Sequence, residues 1–111
     1  MYLCPTDLDY LTRAAAQVPA PERRDFIKDA FIDVLAADQL WNITGRAHPD
    51  LGNGTMAVYL STASMAPPVE GSEQADILLA IAASYRAAVA GVYDKAAEAV
   101  ANRVLDGLEA A

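Results

Sequence analysis

Apolar residues recur at helical spacing along most of this chain, and a few Pro- and Gly-rich stretches divide them. Leu8, Leu11, Ala15 and Val18 share one stripe, which predicts a first helix over about 6–18. Thr6 is its expected N-cap, with Asp7 and Asp9 in the first turn, where carboxylates meet the positive end of the helix dipole. Pro19-Ala20-Pro21 stops this helix and places Pro21 near the first position of the next.

The second helix is predicted over about 22–43. Ile27, Ala30, Phe31, Val34 and Trp41 define its main apolar face, while Ile32, Ala36, Leu40 and Ile43 lie on the opposite side. A helix apolar on two sides is either sandwiched within the fold or covered by another chain. Asp38 interrupts the main face, so its carboxylate requires a partner. Gly45 ends the helix in the left-handed conformation that other residues resist.

Thr55 reads as the N-cap of a short element over 56–64. The run Met56-Ala57-Val58-Tyr59-Leu60 also fits an extended strand, but a lone strand has nothing to pair with, so helix is expected. After Pro67-Pro68, a helical pattern capped by Ser72 continues over 72–110. Ile81, Tyr85, Ala88, Val92, Ala96, Ala99 and Val104 form its seam, and Asp94, Glu98, Asn102 and Asp106 its polar side. Unbroken, this Ala-rich helix would be roughly 55 Å long at about 1.5 Å per residue. That exceeds what a compact domain of ~100 residues can cover. Either Gly91 breaks or kinks the helix, or the distal half packs on another molecule. A glycine inside a helix costs only about 1 kcal/mol, so it permits a break without compelling one. Alanines let a neighbouring helix approach closely, which marks Tyr85, Val92, Tyr93, Ala96 and Val100 as an oligomer seam.

These elements amount to one all-α domain over 1–111, a bundle of about four helices. Abundant alanine, with few β-branched or aromatic residues, agrees with that class. The net charge of −7 comes from 15 acidic against 8 basic residues, and Arg23-Arg24 is the densest basic pair. Such a balance disfavours direct nucleic-acid binding by a monomer and suits solubility or docking onto a basic partner. A single cysteine, Cys4, excludes an intramolecular disulfide and fits a reducing compartment. The start of the chain lacks the pattern of a signal peptide. Its longest apolar run, 77–83, is far below the ~20 residues of a membrane span, so a cytoplasmic location is expected.

Candidate chemistry concentrates in the loop 44–55, which holds the only histidine and three of the six glycines. Arg46, His48, Gly52, Asn53, Gly54 and Thr55 could hold an anion at the following helix N-terminus, though the Gly-Lys-Ser/Thr ending of a phosphate loop is missing. The plainer alternative is a tight turn with an ordinary Thr cap. No second histidine or paired cysteine offers metal-ligand spacing, and Gly52 and Gly54 stand where a calcium loop starting at Asp50 needs ligands. No cofactor or metal is therefore expected. His48 is expected to order the loop through its ring nitrogens. Asp38 is expected to lock the loop by pairing with Arg46 or His48, or by accepting backbone N–H bonds. An Asp38–His48 catalytic dyad lacks an evident nucleophile, although Ser61, Thr62 and Ser64 are near in sequence, so enzyme activity is not expected. Trp41, Tyr59 and Tyr85 read as core, with Tyr93 the exception.

The stretch Ala37-Asp38, then Thr44-Gly45-Arg46-Ala47-His48-Pro49 and Gly52-Asn53-Gly54-Thr55, resembles a family of small uncharacterised alphaproteobacterial proteins. The likeness covers about 6–85 and includes a Val-Pro-x-x-x-Arg lead-in at Val18-Pro19 and Arg23. Leu51 stands where an aromatic is common, and the helix beyond Tyr85 is extended. The resemblance implies a fixed loop architecture and a bacterial cytoplasmic setting, with no established activity. The function expected from these residues is a non-enzymatic interaction module that associates with itself or another protein through the C-terminal helix. Two alternatives are a phage-derived DNA-packaging subunit resembling a small terminase, and a small-anion or nucleotide sensor using Arg46 and His48.

Overall fold

The first helix begins just ahead of the residue expected to cap it. The structure, a computed structural model, describes residues 2–110, without the side chains of residues 62, 64, 109 and 110. In it α1 spans Pro5–Ala16 with Cys4 at the N-cap, which puts Thr6 inside the first turn. Pro5 suits that start because the N–H it lacks would have no intrahelical acceptor. Asp7 accepts a hydrogen bond from the Cys4 N–H at 2.9 Å and so takes the capping role assigned to Thr6.

A 3₁₀ turn at Ala20–Glu22 leads into α2, Arg23–Thr44, which Gly45 ends at φ +70°. Helix α2 is the central element. Ile27, Ala30, Phe31 and Val34 are buried in the main core with Leu11 and Ala15 of α1. Ile32, Ala36 and Leu40 are buried in a second core. The two apolar faces are thus both covered within the chain. At the end of α2, Trp41 on the main face and Ile43 on the opposite one are 44% and 64% exposed, contrary to their expected burial.

Thr55 caps α3, a single turn at Met56–Tyr59, followed by a 3₁₀ turn at Ser61–Met65. This segment is helical rather than extended, and Met56, Leu60 and Ala63 join the main core. Helix α4 spans Gly71–Val89 and begins ahead of Ser72, flanked by Glu70, with no side-chain cap. Ile77, Ile81 and Ala88 face the main core.

The pattern over 72–110 forms two helices. Gly91 adopts φ +82° between α4 and α5, and the chain bends by 79° there before α5 runs over Asp94–Ala110. Helix α5 lies against the second face of α2, the most extensive helix pairing in the molecule. The distal half therefore packs on its own chain. The break also resets the helical phase. Ala97 and Ala101 are buried against α2, with Val100, Val104 and Leu105 beside them, while Ala96 and Ala99 of the expected seam point to solvent. Among the described residues no single helix is long and apolar enough to cross a membrane.

Candidate functional site

The loop between α2 and α3 is ordered by its own backbone and side chains. Thr44 Oγ1 donates to Leu40 O at 2.8 Å and accepts from the Arg46 N–H at 3.2 Å, which fixes the exit from α2. His48 and Gly52 then exchange a pair of backbone hydrogen bonds, each 2.9 Å, closing a small ring around Pro49, Asp50 and Leu51. Within that ring His48 Nδ1 accepts from the N–H groups of Asp50 and Leu51, both at 3.1 Å. A ring nitrogen that accepts in this way carries no proton of its own. Beyond the ring, Asn53 Oδ1 accepts from Thr55 N–H at 3.1 Å and Thr55 Oγ1 at 2.7 Å. Thr55 Oγ1 accepts in turn from the Val58 N–H at 3.4 Å.

The lock between loop and helix differs from the one expected. Among the described residues no hydrogen bond or ion pair joins Asp38 to Arg46 or His48. Instead Gly54, at φ +96°, packs directly on Asp38: a Cβ on it would lie 3.0 Å from both Cα and Cβ of Asp38. Asp38 is exposed, so its carboxylate is open to solvent, and its contact with Gly54 is one of packing. The side chains of Thr62 and Ser64 lie outside the described residues.

The anion position at α3 is already taken. Asp7, only 5% exposed, reaches across from α1 and accepts from the Ala57 N–H at 2.8 Å while also holding Cys4. Its carboxylate satisfies one of the donors that a ligand anion would use. Asn53 and Thr55 act in the turn itself, and Gly52 fits under Val58, where a Cβ would meet Cγ1 at 3.2 Å. Sequence reasoning placed Asp7 correctly in the first turn but could not see a contact 50 residues away.

Arg46 and His48 belong to a different place. With Leu40, Thr44, Ala47 and Pro49 they form one wall of a groove of about 680 Å³ whose other wall is Arg103, Val104, Gly107 and Leu108 of α5. Arg103 has no mark in the sequence that would link it to the loop, because the 79° bend is what brings α5 there.

The expected oligomer seam is divided. Tyr85 packs in the main core, its ring centroid 6.4 Å from that of Phe31, and Tyr93 and Val100 pack within the chain as well. Val92 and Ala96 remain exposed. Tyr59 donates to Asp33 Oδ2 at 2.6 Å. Burial first, and then the hydrogen bond and charge of Asp33, hold its hydroxyl protonated well above the ordinary tyrosine range.

A larger apolar surface lies on α4. Opposite its buried Ile77, Ile81 and Ala88, the outer arc presents Ala75, Leu79, Ala82, Ala83, Val89 and Ala90, with Leu79 70% and Val89 64% exposed. Asp76 and Arg86 are the charged residues on this arc. It lies on a different face from the seam expected through Tyr85 and Val92. The signal was present as helical spacing among exposed positions.

Comparison with known families matches residues 2–85 to the profile described as Domain of unknown function (DUF7742). The matched segment ends within α4, so α5 lies outside it. No curated protein and no solved structure matches the chain.

Proposed function

The chain belongs to the DUF7742 family, a domain of unknown function, and we propose that it acts as a non-enzymatic interaction module that pairs with a second copy of itself through the outer face of α4. The supporting observation is the exposed arc centred on Leu79. A helix with apolar residues on two sides calls for cover on both, and α4 has such a pattern while covering only one of its sides. Ala75, Leu79, Ala82, Arg86 and Val89 recur at alternating steps of four and three, the spacing of a helix-pairing seam.

The two charges favour an antiparallel mate. With the seam crossing between Leu79 and Ala82, Arg86 of one copy comes beside Asp76 of the other, at both ends of the pair. Arg86 has no ion pair within the chain among the described residues. Alanines around Leu79 allow the helix axes to approach closely. The reading does not extend to nucleic acid, because 15 acidic against 8 basic residues disfavour a phosphate backbone.

Sedimentation across the micromolar range tests this reading. The native chain should sediment as a dimer, and Leu79→Arg should weaken association by about 3 kcal/mol or more, roughly a hundredfold. At concentrations where both chains are monomeric its unfolding midpoint should match the native one, since Leu79 is 70% exposed in the monomer. A native chain that stays monomeric throughout would overturn the proposal, as would a Leu79→Arg dimer of native affinity.

A further inference from the structure

The groove between the loop and α5 is chemically one-sided. Among the described residues no carboxylate lines this groove. Leu40, Val104 and Leu108 give it apolar walls, and Leu108 is 63% exposed there. Arg46 enters from the loop and Arg103 from α5. Neither arginine makes an ion pair within the chain among the described residues, whereas Arg13 pairs with Asp9 and Arg23 with Glu73.

We propose that the groove binds an amphipathic carboxylate: a small molecule with a flexible apolar chain and an anionic head. Each half of that ligand answers a different half of the site. The apolar walls gain by covering hydrocarbon, and a bare inorganic anion would leave them wet. The guanidinium groups offer planar, charge-assisted donors to a carboxylate, and a neutral hydrocarbon would leave them without a counter-charge. A volume of about 680 Å³ fits the range of small-molecule sites, about 300–1,000 Å³. His48 contributes rigidity, since its ring holds the Pro49 turn that forms part of the wall.

Decanoate is a suitable probe, with decanol supplying the tail without the charge and acetate the charge without the tail. Amide resonances of the whole 111-residue chain, followed during titration, report where and how tightly each binds. Decanoate should give saturable shifts at Ala47, Val104 and Leu108. Decanol should bind about tenfold more weakly, and the exposed double variant Arg46→Ala/Arg103→Ala should lose about tenfold for decanoate with an unchanged melting curve. Acetate should leave these resonances in place. Absence of saturable decanoate shifts at the groove overturns the proposal. So does equal affinity for decanol and decanoate, or native decanoate affinity in the double variant.

Discussion

Gly45 and Gly54 both adopt positive φ, but different constraints hold them. Around Gly45 there is open space, with nothing within 4 Å of where a Cβ would sit, so only its φ of +70° resists a side chain. Gly54 has φ +96° and also sits against the backbone of Asp38 at 3.0 Å. Gly45→Ala should therefore cost about 1–2 kcal/mol, the penalty of left-handed backbone for an L-residue. Gly54→Ala adds a contact that the Asp38 backbone must shift by a few tenths of an ångström to admit, and should cost about 2–5 kcal/mol in total. Urea unfolding of the two variants measures the difference, and equal losses would remove the steric lock between loop and α2. The glycines announced a constrained loop, and His48 was legible as its organiser. The identity of the lock was not, because contact between Gly54 and Asp38 depends on the path of the whole loop back over α2. Asp7 shows the same limit: its charge and place were readable, its acceptance from Ala57 was not.

Among the helices, Arg23 ties three together. Its Nε donates to the carbonyls of Ala15 and Val18, and its terminal nitrogen to Ala16 O and, at 2.7 Å, to Glu73 of α4. The end of α1 thus receives a cation where its unpaired carbonyls concentrate. Lysine carries the same charge without the planar fork and cannot reach those acceptors together. Arg23→Lys should destabilise the fold by about 1–3 kcal/mol in denaturant unfolding. A loss within about 0.5 kcal/mol, typical of ordinary surface substitutions, would mean that charge alone suffices. The Val-Pro-x-x-x-Arg lead-in contained this residue without revealing its task. Helix identities were legible from spacing, while the phase of α5 was not. Four residues around Gly91 leave the helical path, so a seam extrapolated from Tyr85 through Val92 to Ala96 loses register with Ala97 and Ala101.

For the fold as a whole, α5 decides whether α2 has one covered face or two. Removing residues 90–111 would uncover Ile32, Ala36 and Leu40. At about 1.5–3 kcal/mol for each large aliphatic side chain, the loss from Ile32 and Leu40 is about 3–6 kcal/mol before α5's own burial is counted. Domains have only about 5–15 kcal/mol in total, so the shortened chain should melt at a much lower temperature or aggregate, as circular dichroism would show. A truncated chain with the native melting temperature would mean that α5 contributes little to the fold. The family match ends before this helix, so the cover on α2 comes from outside the matched segment. With α5 folded back, the case for self-association passes from the C-terminal helix to the outer arc of α4.

Local chemistry was enough to establish the all-α class, the approximate helix spans, the two-faced character of α2 and the constrained loop. Those properties follow from residue propensity, from apolar residues repeating at helical spacing, and from glycines where the chain must turn. Which apolar faces meet was a matter for the folded chain alone, because the direction taken after Gly91 sets every contact α5 makes. That one bend covers the second face of α2 and closes a groove with Arg46 and Arg103. The outer face of α4 stays open to solvent.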